Sequence, residues 1–291
     1  MLGKKSISEK VFIGDCYSLV AFACLISLYP FIYVLSAALS DGKAILANKV
    51  VLLPVDLTFD AFTNLFADTR LWVSYANTIY ITVGGTFVSM LLTVLAAYPL
   101  SKSRMKGRKI ILLMVVITMF FGGGMIPTYM MFKWFHLTEL RFTLMLGVSS
   151  FFIMVLMTFF RNQPASTEES AQIDGANDFT ILSKIVLPLS KPILVTLGMY
   201  HAVGFWNTYF WAMILLTDAS KKPLQVYLRE ILIQSKMPPE MMSVMGESGM
   251  KLINENVKYA AIILAIVPIV SVYPFLQRYF VKGVMIGSIK S

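Results

Sequence analysis

Charge is what this sequence has least of. Only 14% of its 291 residues are Asp, Glu, Lys or Arg, against roughly 25% in soluble domains. That shortage argues against a water-soluble domain. Cysteine is as scarce: Cys16 and Cys24 lie in or beside the first apolar run, and no Cys-x-x-Cys occurs. No disulfide framework and no zinc site is implied, and the two cysteines read as small apolar fillers. The two histidines, His136 and His201, stand far apart, which argues against a metal site. The chain also lacks G-x-x-x-x-G-K-[ST], the loop that cradles nucleotide phosphates. Gly3-Lys4-Lys5-Ser6 only superficially approaches it, and Gly122-Gly123-Gly124 is followed by no Lys-Ser/Thr. The chain is therefore expected to hydrolyse no ATP of its own. No catalytic constellation stands out, so it reads as a non-enzyme with no cofactor.

What fills the space is apolar. Hydrophobic residues make up 57% of the chain, and mean hydropathy is +0.72. Apolar runs fall near 17–39, 75–100, 110–130, 142–160, 192–216 and 258–280, each close to the ~20 residues a bilayer-crossing helix needs. None alternates with period two, so strands of a barrel are excluded. The expectation is an all-α polytopic membrane protein with six transmembrane helices in a single domain. The basic start Met1-Leu2-Gly3-Lys4-Lys5 could open a signal peptide. However, the run to Leu39 is too long for one and lacks a small-x-small exit, so it reads as a retained first span. Prolines at 30, 127, 268 and 274 interrupt the runs. Buried membrane helices tolerate such kinks.

Lys and Arg orient the chain. With the N-terminus inside, 14 of the 25 basic residues fall on the inner side and 11 outside. The clearest marker is the 101–109 loop with Lys102, Arg104, Lys106, Arg108 and Lys109. Both termini and the 161–191 segment are then cytoplasmic, and 217–258 is an outer loop. The net charge of +9 is topological, and no nucleic-acid module is visible.

Within 161–191 lies a polar island, a long ordered loop in a chain that has few. Ser166-Thr167-Glu168-Glu169 fits a capping box with Ser166 as N-cap, and Glu168 and Glu169 suit the positive end of a helix dipole. Asp174-Gly175 supplies a helix stop. Asn177 or Asp178 can cap a second helix running to about Val186, and Pro188 and Pro192 mark the turn into the next span. A helix–turn–helix joined to two spans can pass a partner's motion into the membrane.

The island reads Glu169-Ser170-Ala171-x3-Gly175-x9-Ile185-x-Leu187-Pro188. It resembles the EAA loop of bacterial ABC importer permeases, E-A-A-x3-G-x9-I-x-L-P, departing only at Ser170. The likeness continues through Pro188-Leu189-Ser190-Lys191-Pro192, Trp206-Asn207 and Pro223-Leu224-Gln225, which are similar to the carbohydrate importer branch. The tail from Tyr279 to Lys290 looks like the ending of the second, maltose-type permease. Phe121-Gly122-Gly123-Gly124-Met125-Ile126-Pro127 and Leu228-Arg229-Glu230 resemble a group associated with complex oligosaccharides, including alginate-type uronides. The resemblance covers nearly the whole chain. It implies a type I importer permease fold in the bacterial inner membrane and half of an oligosaccharide pathway. The partners it implies are a second homologous permease, two cytoplasmic ATPase subunits that bind ATP and Mg, and an extracellular or periplasmic solute-binding protein. The island would dock on the ATPase through Glu169, Ser170, Ala171, Asp174, Gly175, Ala176, Ile185, Leu187 and Pro188.

The outer loop could help dock the binding protein, with Leu224–Gln234 as a short amphipathic helix and Met237-Pro238-Pro239 as a break. A sugar pathway needs polar groups and aromatic faces. At helical spacing Tyr200, Gly204, Asn207 and Trp211 form one stripe on the fifth span, and a polar Asn within a membrane is a functional hint. Two other classes would leave different marks. A secondary transporter driven by an ion gradient calls for internal repeats and mid-membrane acids, and neither is evident. A membrane enzyme needs a catalytic cluster.

Overall fold

The computed structural model describes residues 7–234 and 255–288, with side chains over 8–233 and 255–274. All regular structure among them is helical. The described residues form two compact units, one holding those up to Thr69 and from Leu228 to Val267, the other those from Arg70 to Tyr227 and from Pro268 onward.

In the first unit α1 (Ile7–Ala38) runs unbroken through Pro30. Almost every side chain on it is exposed, Cys16 and Cys24 included, so its apolar surface must meet lipid or another chain. Only its end is packed. Ala37 joins Ala44, Ile45 and Val50 in a small core, beneath α2 (Gly42–Leu46), whose first turn is capped by Asp41 accepting from the Lys43 amide at 2.8 Å. Ser40 accepts from Val55 N at 3.0 Å, and its carbonyl accepts from the Asn256 amide at 3.0 Å. α3 (Asp60–Ala67) follows.

The second unit is built on α4 (Thr69–Ser101), α5 (Arg108–Phe120), α6 (Met125–Trp134), α7 (Ser150–Arg161), α8 (Ala165–Ile173), α9 (Asp178–Leu189), α10 (Lys191–Trp206) and α11 (Phe210–Leu215). Among the described residues, two clusters hold it. One joins Val94, Ala97 and Tyr98 of α4 to Leu156 and Phe160 of α7 and to Ile181, Leu182 and Val186 of α9. The other joins Ile81, Leu144, Met145, Phe205, Leu215 and Val226. At Gly85 α4 comes so close to Phe205 that a Cβ would sit 2.8 Å from the ring. Gly85→Ala is expected to lower the thermal unfolding midpoint of the detergent-solubilised protein, at a cost of about 1–3 kcal/mol. Gly84→Ala should cost less, because the atom it meets is the flexible Met145 thioether. Equal midpoints for both variants and wild type would rule out close packing here.

α12 (Leu224–Gln234) has the expected bounds and buries Leu224, Val226, Tyr227, Leu228 and Ile231. α13 (Glu255–Ser288) runs through Pro268 and Pro274. The expected break at Met237-Pro238-Pro239 lies outside the described residues.

Among the described residues, three helices are long and apolar enough to cross a membrane: α1 from Ser8, α4, and α13 over Glu255–Pro274. Three other expected spans differ from straight helices. The 110–130 run divides at Phe121–Gly124, and α5 and α6 meet at 116°. Three consecutive glycines, the last at φ +79, stop the first helix and turn the chain. In the 142–160 run only Ser150–Arg161 is α-helical. Arg141–Met145 forms a 3₁₀ turn held by the Thr143 hydroxyl donating to the Leu137 carbonyl at 2.5 Å. The 192–216 run breaks after Trp206 and resumes at Phe210.

Candidate functional site

The polar island folds as two short helices around Gly175. α8 starts one residue before the expected cap. Pro164 is the N-cap, and Ser166 lies in the first turn, so the capping box is not made. The cause is local. Pro164 presets φ at −60 and its carbonyl accepts from Thr167 N at 3.3 Å. The stop is as expected. Gly175 sits at φ +80; its amide donates to Gln172 O at 3.0 Å, and Ala176 N donates to Ala171 O at 2.9 Å. These two bonds are a Schellman motif, which needs a left-handed residue where Gly175 stands. Asn177 then caps α9, accepting from Thr180 N at 2.8 Å. Leu182–Val186 is a π-helical turn that places Leu182 and Val186 in the core.

The motif positions divide by exposure. Ala171, Ala176 and Leu187 pack on the core, and Ile185 is half-buried. Glu169, Ser170, Asp174, Gly175 and Pro188 face out. The one departure from the motif, Ser170, is therefore at an exposed position where a hydroxyl costs nothing. Two apolar side chains outside the motif are also exposed, Ile173 at 87% and Phe179 at 73%. One sits on each helix, flanking the turn. Beside Phe179 opens a cleft of about 460 Å³ lined by Leu95, Tyr98, Pro99, Met105 and Leu182.

The hairpin is anchored by the 101–109 loop, a relation that sequence spacing does not contain. Lys102 pairs with Glu168, with only 16% and 15% of the two side chains exposed, and its ammonium lies 4.6 Å from the centre of the Tyr98 ring. Arg104 pairs with Asp178 in solvent. Arg108 donates from Nε to Leu100 O at 2.7 Å, fixing the loop itself. The two ends of the hairpin are tied by Gln163 Nε2 donating to Ser190 Oγ at 2.7 Å, while Ser190 donates to Val186 O at 2.6 Å. At Ser190 the chain bends by 83° into α10.

A second polar knot links 77–80, 139–141 and 217–224. Asn77, nearly fully buried, donates to Ser220 O at 2.8 Å and Lys222 O at 3.1 Å, and accepts from Arg141 Nη1 at 2.6 Å. Arg141 also lies over the Tyr80 ring at 5.3 Å. Leu224 N donates to Thr78 Oγ1 at 2.7 Å. Glu139 accepts from the Thr217 hydroxyl and from its amide, which hold its carboxyl below the usual carboxylate range. A polar Asn within an apolar helix signals such a knot, and Asn77 could have been found by that rule.

The expected stripe on the fifth span is not continuous. α10 ends at Trp206, and Asn207 is its C-cap, with Nδ2 donating to Val203 O at 2.9 Å. Asn and Thr side chains that bond the preceding turn compete with helix continuation, and Thr208 follows. Trp211 therefore belongs to α11, where it packs edge-on to Phe132 at 5.8 Å. Tyr200 is half exposed and stays apart from both. It lies 5.9 Å from Phe152 on the edge of an open groove of about 340 Å³.

Residues 89–286 match the family described as binding-protein-dependent transport system inner membrane component. The polygalacturonan/rhamnogalacturonan transport system permease protein YtcP of Bacillus subtilis is 40% identical over 276 residues, 94% of this chain and 96% of that protein. The protein LplC of the same organism is 36% identical over 91% of this chain and 90% of its own length. A chain from a solved bacterial ABC transporter involved in the import of the acidic polysaccharide alginate superposes with a TM-score of 0.85 at 38% identity, covering 95% of this chain and 99% of that one. With the matched region spanning more than half of its length, this chain belongs to the family of binding-protein-dependent transport system inner membrane components.

Proposed function

We propose that this chain is the permease subunit of an ATP-driven bacterial importer of oligosaccharides, with uronic-acid-rich chains as its preferred cargo. Family membership supports the transporter class, and the pectic and alginate relatives support the acidic sugar. The observation that carries the coupling role is the hairpin around Gly175. It is rigid, anchored on the core, and presents Ile173 and Phe179 to solvent on either side of the turn.

In this reading the hairpin and the 101–109 loop are cytoplasmic, as are both termini, and the knot at Asn77 faces outward. Ile173 and Phe179 seat in a cytoplasmic ATPase subunit, with Glu169, Asp174 and Gly175 at the contact. Two such subunits bind ATP and Mg. A second permease covers part of the exposed apolar surface of α1, α5 and α6, and a solute-binding protein delivers sugar near 217–258.

Large apolar side chains at the centre of an interface carry most of its energy, about 2 kcal/mol or more each. Phe179→Asp is expected to cut ATPase retention on the purified permease pair by roughly thirtyfold. Leu189→Asp, exposed but remote from the turn, should leave it within twofold. Retention of the ATPase by both Phe179→Asp and Ile173→Asp would refute the docking role.

A further inference from the structure

The groove beside Tyr200 is lined by Gly147, Ser149, Phe152, His201, Gly204 and Thr208, among others. Its size is at the small end of the ~300–1,000 Å³ of small-molecule sites. Phe152 and Tyr200 tilt towards each other at 39° and offer aromatic faces. Tyr200 and Thr208 both line it, and Thr208 Oγ1 reaches its own helix only at 3.4 Å. His201 is the unexplained member. It is 93% buried between Phe152, edge-on at 4.9 Å, and Phe205, stacked at 6.2 Å, and its Nε2 has no hydrogen-bond partner among the described residues. A buried nitrogen without a partner costs about 1–3 kcal/mol. That cost calls for a state of the molecule in which it is met.

We infer that this groove is a saccharide subsite on the transport path, in which Tyr200 and Phe152 cover the apolar face of one pyranose unit and His201 Nε2 and Thr208 bond its hydroxyls. The inference rests on the oligosaccharide reading and makes the site one on this chain rather than only on its partner permease. Nε2 is covered in this conformation, so engagement requires the Phe152 ring to turn aside as sugar enters. Asn207 and Trp211 take no part, since the first bonds Val203 and the second packs on Phe132. Gly204 forms an open stretch of the wall, where an added Cβ would meet nothing within 4 Å. A larger side chain there fills the groove without disturbing the helix.

The test uses the whole complex of both permeases, ATPase and binding protein in proteoliposomes, with labelled galacturonate oligomers and neutral galactose oligomers as probes. Gly204→Leu is expected to lower uptake about tenfold while binding-protein-stimulated ATPase activity stays within about twofold. His201→Phe keeps the ring packing and loses the donor, and should raise the transport KM about five- to tenfold. His201→Gln, which places an amide at similar reach, should restore most of that loss. Uptake at wild-type KM and rate by both Gly204→Leu and His201→Phe overturns the subsite. So does equal impairment by His201→Gln and His201→Phe, which marks a packing role. A wild-type complex that moves neither probe overturns the oligosaccharide reading itself.

Discussion

Gly175→Pro is expected to reduce sugar uptake to background while the chain still inserts in the membrane and still pairs with its second permease. Proline holds φ near −65°, and Gly175 sits at +80. Proline also has no amide to give to Gln172 O, and the turn that brings Ala176 N to Ala171 O cannot form around it. Both Schellman bonds are lost, and α8 and α9 part. The incompatibility is worth about 3 kcal/mol or more, roughly a hundredfold or greater in the population of the correct hairpin. Contacts with the rest of the protein add nothing for alanine, because a Cβ at Gly175 meets no atom within 4 Å beyond its own chain neighbours. Gly175→Ala should therefore cost only the left-handed penalty of about 1–2 kcal/mol, and Gly175→Asn less. The order Gly, Asn, Ala, Pro in coupled uptake identifies backbone conformation as the cause. The measurement is uptake beside ATPase activity in proteoliposomes. In the proline variant, hydrolysis should no longer respond to loaded binding protein. Normal stimulated ATPase and normal uptake with proline in place would dismiss the hairpin as a coupling part.

What could be read from the sequence was whatever a few neighbouring residues decide. Gly175 as a helix stop, Asn177 as one of two offered caps, and the bounds of 224–234 are all set within a turn or two of chain. Hydropathy found the apolar runs but could not say whether they were helical. Residues 142–149 are as apolar as a span, yet they make a 3₁₀ turn, which the Thr143 hydroxyl ties to Leu137 O, and an irregular link. The stripe of Tyr200, Asn207 and Trp211 assumed one continuous helix, and Asn207 ended it. The capping box failed because Pro164 starts the helix before Ser166, and an acid beside it has a partner of its own to find. Glu168 answers to Lys102, 66 residues away, and no local pattern contains that. The anchors of the hairpin, Lys102–Glu168 and Gln163–Ser190, and the knot at Asn77 are tertiary facts. The charges of the 101–109 loop could be counted for topology, but not assigned partners.

Those anchors give the other large expectation. Lys102→Glu should destabilise the hairpin far more than Arg104→Glu, although the two cations lie two residues apart on one loop and each faces one carboxylate. The difference is burial. Arg104 and Asp178 are 53% and 60% exposed, and such pairs contribute about 0–1 kcal/mol. Lys102 and Glu168 are about 85% buried, so removing one partner leaves a charge with little water to stabilise it, at a cost of about 3–5 kcal/mol. The variant also puts a carboxylate against the Tyr98 ring face, which now attracts the ammonium. Uptake should fall by two orders of magnitude or more on this scale, roughly a hundredfold at 3 kcal/mol, and the ATPase should bind less tightly. The exchanged pair Lys102→Glu with Glu168→Lys should recover most of the loss but not all, since the ring still faces the carboxylate. Unfolding midpoints and stimulated ATPase for wild type, Lys102→Glu, Glu168→Lys and the exchanged pair close a double-mutant cycle. If Lys102→Glu and Arg104→Glu behave alike, the 101–109 loop is not the anchor, and the hairpin must be held by its contacts with the core.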